Sequence, residues 1–165
     1  MYPNYHYISS TTKCLLDDDK IRNELNEFYL TVLDFRKNKN FNLLEELDKD
    51  KIEILLNPYC GLGCQKRLEH YTIISQSQIK NDAQMASSWM ADNCKWNCPS
   101  FLDNLKNNPA VITQEELLKY INMGFCHFKI EGRTDSIIDV IESYLYYMVK
   151  PEYIDEIRYR CLKLL

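Results

Sequence analysis

The sequence lacks three features that would each assign the chain to a broad class of protein. No apolar run approaches the roughly 20 residues that a helix needs to span a bilayer, so a membrane protein is not expected. The N-terminal segment MYPNYHYISS has neither the positive charge nor the apolar core of a secretory signal, which favours a cytoplasmic protein. The formal charge of −4 gives no basic footprint for nucleic acid, although net charge does not describe how charges are distributed.

Several catalytic signatures are missing as well. The chain has no recognisable Ser–His–Asp arrangement, HExxH zinc motif or phosphate-cradling Gly loop, so a hydrolytic mechanism has no visible nucleophile. The three-cysteine C-x3-C-x2-C pattern of radical SAM enzymes is incomplete, because Arg67 stands where its third cysteine would be. Any chemistry of this chain therefore has to come from another group of residues.

What the sequence does contain is a repeated strand-and-helix pattern. At 165 residues the chain is long enough for one domain with a substantial core. Short apolar segments bounded by polar residues predict strands at Tyr5–Ser10, Tyr29–Asp34, Lys51–Asn57 and Phe125–Ile130. Helices are predicted at 17–28, 41–47, 65–77, 82–91, 100–105, 114–123, 136–149 and 152–164. The helix at 114 has a capping box formed by Thr113 and Glu116 and ends at Gly124. Strands that alternate with helices predict βα units and a parallel sheet.

The third and fourth predicted strands are much further apart than the first three. The segment between them, residues 58–124, reads as a helical insertion at the carboxyl end of the third strand, where parallel sheets place functional sites. Four βα units are half of a (β/α)8 barrel, so we predict a single α/β domain over 1–165 built as a partial, half TIM-like barrel. Alternation along the third strand puts Ile52, Ile54 and Leu56 on one face and Lys51, Glu53 and Leu55 on the other. A half barrel leaves two edges and one face uncovered. That face would line a functional cleft, or self-association or a partner chain would complete the barrel.

Two cysteine pairs fall within the predicted insertion. The chain has seven cysteines, a number that needs an explanation. A reducing compartment would not support a disulfide framework. CGLGC at 60–64 and CKWNC at 94–98 both have C-x3-C spacing, whereas structural zinc knuckles usually use C-x2-C and an iron–sulfur cubane accepts wider spacings. We predict one metal site formed by Cys60, Cys64, Cys94 and Cys98. Spacing alone leaves zinc, a cluster and merely buried thiols open.

Three segments together resemble one known family. FKIEGRTDSIIDVIESYL, at 128–145, is similar to the KIEGR-type strand-and-helix signature of peptidase family U32, the collagenase-like peptidases. NPYCGLGCQKRLEHY, at 57–71, resembles the cysteine-bearing loop that follows a barrel strand in that family, and CKWNCP, at 94–99, resembles its downstream cysteine segment. The resemblance covers residues 50–147 and is most specific in the KIEGR segment.

This resemblance implies a TIM-barrel-like fold and an iron–sulfur cofactor. Some members bind a 4Fe–4S cluster through four cysteines and take part in oxygen-independent hydroxylation of tRNA uridine or of ubiquinone precursors, and others carry a peptidase label. Carried over to this chain, the cluster ligands would be Cys60, Cys64, Cys94 and Cys98. The tRNA-modifying relatives keep a nucleic-acid substrate open despite the acidic net charge. The short 60–64 spacing departs from the family pattern, so the chain resembles a compact or half-barrel relative.

Five further residues are candidates for binding a substrate or an anion beside the metal. Lys129 and Glu131 project to one side at the end of the fourth strand, and Arg133 follows in the next loop. They would form either an ion pair that locks the strand end or an anion site with the amides of the following helix. Arg67 would steady an anionic ligand or remain a solvated surface residue. His70 would contact the cluster or substrate, serve as a fourth zinc ligand, or simply pack.

Three functional hypotheses follow from these patterns. The first is a U32-like iron–sulfur protein that acts as an enzyme or as one component of a hydroxylation or redox system. The second is a zinc-stabilised binding or scaffold module without catalysis. The third is a barrel fragment that is inert alone and scaffolds a complex.

Overall fold

The structure, a computed structural model, describes residues 5–94, 100–132 and 136–165. In these ranges four strands form one parallel sheet in the order β1-β2-β3-β4. The strands are β1 (Ile8–Ser9), β2 (Leu30–Val32), β3 (Ile52–Leu55) and β4 (His127–Lys129). The α-helices are α1 (Asp18–Glu27), α2 (Phe41–Glu46), α3 (Arg67–Lys80), α4 (Ala83–Asn93), α5 (Phe101–Asn107), α6 (Gln114–Asn122), α7 (Ile137–Met148) and α8 (Ile154–Leu162). Short 3-10 helices cover Thr11–Lys13, Phe35–Lys37, Lys49–Lys51 and Pro151–Tyr153.

The predicted α/β class with a parallel sheet is confirmed. Each predicted strand segment contains one strand of the sheet, and each observed strand is shorter than the segment that predicted it. Leu30 of β2 lies beside Ile8 of β1, and Glu53 of β3 lies beside His127 of β4. Because all four strands run in the same direction, the residues that follow them gather at one edge of the sheet, called the carboxyl edge below.

Helix boundaries follow local capping signals in the sequence. The Asp17 side chain accepts a hydrogen bond of 2.9 Å from the Lys20 amide and so begins α1. The predicted capping box of α6 is confirmed, since Thr113 and Glu116 each accept a hydrogen bond from the other's backbone amide. Gly124 adopts a φ of +98° after the helix, a conformation that glycine enters without a side-chain clash.

Alternation along β3 divides the core into two faces, as the sequence predicts. Ile52 and Ile54 are fully buried on the face that packs against the helices and contacts Leu44 of α2. Leu55 points to the other face and contacts Phe35 from the turn after β2. This second face also carries Glu53, and its buried apolar cluster has fewer members than the cluster on the first face.

The predicted insertion consists of α3, α4, α5 and α6, which lie between β3 and β4 in the chain. Helices α3 and α4 pack on each other, with Trp89 Nε1 of α4 donating to Glu69 Oε1 of α3 at 3.1 Å. Helix α5 is fixed to α7 by the Phe101 amide, which donates to Asp139 Oδ1 at 2.8 Å. Among the described residues, no helix combines the length and the apolar character needed to cross a membrane.

Candidate metal centre

The loop that follows β3 is held in place by buried asparagines. The Asn57 side chain exchanges two hydrogen bonds of 2.7 Å with the backbone of Glu131, which follows β4. Asn104 and Asn108 of the α5 region both donate to the Pro58 carbonyl, at 3.1 and 2.7 Å. These four contacts tie the loop to β4 and to α5, so the first cysteine pair begins from a fixed backbone position at the carboxyl edge.

Three of the four predicted metal ligands lie in one neighbourhood. Cys60 and Cys64 flank a turn in which the Cys64 amide donates to the Gly61 carbonyl at 3.0 Å. Cys94 ends α4, where its amide donates to the Met90 carbonyl at 2.8 Å. Burial, together with the smaller effects of the neighbouring Cys64 and Cys94 thiols, raises the pKa of the Cys60 thiol to about 12. The structure thus brings Cys94 close enough to the first pair to influence Cys60.

The fourth predicted ligand and one predicted anion-binding residue cannot be placed. Cys98 and Arg133 both lie outside the described residues. None of the other six cysteines forms a disulfide with another of them. Within the described ranges, no three His, Cys, Asp or Glu side chains converge closely enough to hold a single metal ion.

A buried ionic cluster lies next to these thiols at the end of β2. Asp34, which is 2% exposed, accepts hydrogen bonds from Arg36 Nε at 2.8 Å and from Arg36 Nη2 at 2.9 Å. The same carboxylate also faces Arg67, whose Nε lies 3.7 Å from Asp34 Oδ2. Two guanidinium groups therefore share one carboxylate, and the cluster carries an excess positive charge in a poorly solvated position.

Arg67, predicted as an anion-binding or surface residue, is buried at the first position of α3. Only 4% of the residue is exposed. Its guanidinium lies over the Phe35 ring at 4.4 Å and the Tyr71 ring at 5.0 Å, and Nη2 donates to Thr11 Oγ1 at 3.2 Å. Its Nε is buried without a hydrogen-bond partner. A buried donor that lacks an acceptor costs free energy, so this atom is poised to receive one.

The ionic cluster and the cysteine loop are directly connected. Arg36 Nη1 donates to the Cys64 carbonyl at 3.0 Å. Helix α3 begins three residues after Cys64, and Lys66 at its N-cap supplies no side-chain hydrogen bond to the first turn. The amides of an uncapped first turn and the positive end of the helix dipole both favour an anion in this position.

Cys14 belongs to the same neighbourhood and was not predicted. It follows the 3-10 helix Thr11–Lys13 after β1, and Arg67 lies within hydrogen-bonding reach of its thiol. Burial raises the pKa of Cys14, although the nearby Arg67 charge opposes this. Its position near the carboxyl edge could have been predicted from the sequence, because Cys14 comes shortly after a predicted strand. Asp34 and Arg36 were missed despite the same signal.

The remaining predicted residues lie at the periphery of this group. Lys129 Nζ is 3.4 Å from Glu53 Oε2, so the partner of Lys129 comes from the neighbouring strand β3. Glu131 is near enough to Tyr71 to raise the pKa of that phenol, after the larger effect of burial. His70 stacks on Trp89 with ring centroids 5.3 Å apart. Burial and the Arg67 charge lower the pKa of His70.

Comparison with known proteins yields one distant similarity. A protein of Methanocaldococcus jannaschii described as an uncharacterized protease is 28% identical over 149 residues. The alignment covers 84% of this chain, and the chain spans 41% of the length of the curated relative that it matches. No protein-family profile matches the chain, and no solved structure matches it. The similarity supports a distant relationship to a protease-labelled family.

Proposed function

We propose that this chain is a U32-like iron–sulfur protein that binds a 4Fe–4S cluster at the carboxyl edge of its sheet. Cys60, Cys64 and Cys94 are three of its ligands, and Cys98 is the fourth that the sequence predicts. When bound, the cluster supplies one-electron redox chemistry, as expected for a component of an oxygen-independent hydroxylation or redox system. The relative labelled as a protease supports the family part of this proposal.

The observation that carries the proposal is the excess positive charge beside the thiols. Arg36 and Arg67 share the carboxylate of Asp34, and all three residues are largely buried. Burying an uncompensated charge is expensive, so the arrangement requires an anionic group to be favourable. A cluster with four thiolate ligands is such an anion. It would lie against Arg36 and Arg67, whose two positive charges Asp34 compensates only in part.

The described residues fit this group in two further respects. Arg67 Nε is a buried donor without an acceptor, and hydrogen bonds to the sulfur atoms of a cluster are a common means of tuning its potential. The first turn of α3 follows the cysteine loop directly in the chain and has no side-chain cap, and a helix start of this kind favours an anion. In the metal-free chain the buried Cys60 thiol has a pKa of about 12 and is protonated, so metal binding would displace its proton.

The test is metal and sulfide analysis of protein purified and reconstituted without air. We expect a brown protein with about four iron and four sulfide per chain. Cys60→Ser should abolish the colour and the iron, whereas Cys126→Ser should not. Cys126 is the matched control because it is exposed and contacts Asp50, which lies before β3 at the opposite end of the sheet.

The outcomes separate the alternatives. A colourless protein that binds about one zinc would replace the cluster with a zinc-stabilised binding module, since four thiolates suit that ion equally well. Wild-type protein that binds neither iron nor zinc would leave the charge cluster as a purely structural feature and end the proposal. Iron content unchanged in Cys60→Ser would remove that residue from the site.

We also propose that the sheet is part of a half barrel completed by a second copy or another chain. The support is the exposure of side chains on the two edge strands of the sheet. Ile8 on β1 is 55% exposed, and Lys129 on β4 has a side chain that is 45% exposed. Helix α7 adds exposed Ile137 and Met148. Light scattering of the purified chain tests this: a dimer or larger assembly is expected, and a stable monomer at high concentration would contradict self-association.

A further inference from the structure

An open apolar groove lies between the last two helices of the chain. Arg158 of α8 is tied to α7, since its Nε and Nη2 donate to the carboxylate oxygens of Glu142 at 2.6 and 2.9 Å. Next to this contact the two helices leave a groove of about 240 Å³ whose lining presents only apolar surface. Contiguous apolar surface that stays open to solvent is typical of interaction sites. The groove is lined by side chains from both helices, including those of Val140, Ile141, Tyr144, Met148, Ile157 and Cys161.

The side of α8 that faces away from α7 extends this surface with charged groups and tyrosines. Because Arg158 points towards α7, the residues two positions before and after it, Glu156 and Arg160, lie on the opposite side of the helix. Their side chains pair with each other and are 57% and 72% exposed, so the pair contributes little to folding and both charges remain available to a partner. Tyr153 and Tyr159 are 51% and 60% exposed. Tyrosine and arginine are both enriched at protein interfaces.

The charges of α8 make this helix complementary to a second copy of itself. Its first turn carries Asp155 and Glu156, and Arg160 and Lys163 follow at its other end. In an interface with twofold symmetry the same patch faces itself, so each acidic group needs a basic group elsewhere on that patch. Two copies of α8 that run antiparallel about an axis near residue 158 bring Glu156 of each copy beside Arg160 of the other. The helix dipole favours the same order of charges, so it is the groove and the tyrosines that indicate a covered surface, and the charges indicate what covers it.

We propose that α7 and α8 form the contact surface of a homodimer, in which α8 of one copy packs antiparallel against α8 of the other and covers the groove. The association removes the groove and the exposed tyrosines from water, and it pairs Glu156 and Arg160 across the symmetry axis. No residue of the proposed iron–sulfur site takes part. The inference gives the proposed self-association a specific surface, which differs from the two edge strands of the sheet.

The first experiment exchanges the two charges and measures the dimer dissociation constant by analytical ultracentrifugation of the metal-free chain under reducing conditions. Glu156→Arg and Arg160→Glu each place like charges opposite one another, so each should weaken the dimer by about tenfold or more. An equimolar mixture of the two variants should dimerise again, because a chain with two arginines then faces a chain with two glutamates. Neither variant regains the pair within its own chain on mixing, so the recovery cannot come from folding. Single variants that dimerise as well as wild type, or a mixture that remains monomeric, would overturn the proposal.

A second experiment tests the apolar groove by the same measurement. Met148 lines the groove and is 70% exposed, so Met148→Glu should fold normally and weaken the dimer by about tenfold or more. Ile79→Glu is the matched control, because Ile79 is 82% exposed on α3 and does not line the groove, and its dimer should equal that of wild type. Ile8→Glu, on the edge strand β1, should also leave the dimer unchanged. A dimer that is lost in Ile8→Glu and kept in Met148→Glu would place the contact at the edge of the sheet and contradict the inference.

The inference and the proposed function fail in distinguishable ways. If wild-type chain takes up no iron and sulfide, the proposed function is wrong, and the dimer measurements on the metal-free chain are unaffected. If wild-type chain stays monomeric at all concentrations, the homodimer is wrong and the iron–sulfur function stands. If it dimerises but the α7 and α8 variants dimerise equally well, self-association stands and only the surface assigned here is lost.

Discussion

The core beneath α2 and α6 and the carboxyl edge of the sheet differ in the kind of polar group that they bury, which is neutral in the core and charged at the edge. In the core, the Tyr120 hydroxyl donates to the Asn38 carbonyl at 2.8 Å, and Asn38 Nδ2 donates to the Leu55 carbonyl at 2.8 Å. At the carboxyl edge, two arginines share one aspartate, and Arg67 Nε has no acceptor. Both regions contain a buried side-chain atom without a hydrogen-bond partner, Asn38 Oδ1 in the core and Arg67 Nε at the edge, but only at the edge does that atom belong to a charged group.

We interpret this difference to mean that the core serves folding and that the edge serves the ligand proposed above. Natural chains are locally consistent in most places and break that consistency mainly at functional positions. The left-handed Cys14, the shared carboxylate of Asp34 and the uncapped start of α3 are three such breaks within one neighbourhood. If this interpretation is correct, metal loading should change the stability of variants at the edge and should not change the stability of variants in the core.

The largest effect on stability is expected for Asp34→Asn. The substitution leaves two buried guanidinium groups facing a neutral amide, which should cost about 3–5 kcal/mol in the free energy of unfolding of the metal-free chain. Urea unfolding under reducing conditions measures it. The control is Asp19→Asn, because Asp19 is exposed and its solvent-screened pair with Arg22 should contribute little to stability. Similar values for the two variants would show that the edge is not under electrostatic strain.

A core variant should cost nearly as much without depending on metal. Leu44 is fully buried in the core beneath α2, and Leu44→Ala is expected to lower the free energy of unfolding by about 2–5 kcal/mol through lost burial and a residual cavity. Leu118→Ala is the control, since Leu118 is 60% exposed on α6. The loss should be the same with and without iron and sulfide. A loss that differs between the two conditions would mean that the regions are coupled.

A smaller, pH-dependent effect is expected at the start of α6. Burial acts to raise the pKa of Glu116, but hydrogen bonds from Lys39 and from the Thr113 amide outweigh it and lower the pKa below 4.5. A lowered carboxyl pKa contributes stability above the unfolded value, and this contribution is lost as the pH falls through the folded value. Glu116→Gln keeps the capping hydrogen bond and removes the charge, so it should cost about 0.5–1 kcal/mol near neutral pH.

The pH dependence of that cost is the measurement. The difference between wild type and Glu116→Gln should disappear as the pH is lowered from above 4.5 to below the reduced pKa of Glu116. Thermal unfolding of both proteins across this pH range would measure the difference. A difference that stays constant with pH would assign the effect to packing or to altered hydrogen bonding and not to the carboxylate charge.

The sequence predicted the parts of the molecule that depend on local patterns. The capping box at Thr113 and Glu116 is a four-residue signal, and the division of β3 into two faces follows from the alternation of side chains along a strand. Both could be read without knowing the fold. For the same reason, the cysteine pairs were recognised as pairs from their spacing alone.

The carboxyl edge was only half predictable because its contacts join distant segments. Cys14, Asp34 and Arg67 come from three different connections, and only the order of the strands brings them together. Lys129 shows the same limit, since its partner Glu53 lies on the neighbouring strand and not two residues along its own. Combining the predicted strand ends with the predicted strand order would have identified Asp34 and Cys14 as candidates.

Replacing Arg67 distinguishes the two regions most sharply, because little change in the stability of the metal-free chain is expected. Arg67→Met removes the surplus charge and leaves Asp34 paired with both sides of Arg36. The relief of a buried charge, worth several kcal/mol, offsets the lost contacts with Phe35, Tyr71 and Thr11, each worth about 1 kcal/mol. The metal-free variant should therefore unfold within about 1 kcal/mol of wild type, in contrast to Asp34→Asn.

The loaded protein should behave differently, because Arg67 then has an anion to face. We expect Arg67→Met to weaken retention of the iron–sulfur centre by about tenfold or more, corresponding to about 1.4 kcal/mol, when loaded protein is challenged with a chelator. Arg67→Lys is the matched control, because it keeps the positive charge but loses the planar donor group. Its retention of the iron–sulfur centre should lie between that of wild type and that of Arg67→Met. Strong destabilisation of metal-free Arg67→Met would instead show that Arg67 is a structural partner of Asp34, and the excess charge would no longer argue for a bound anion.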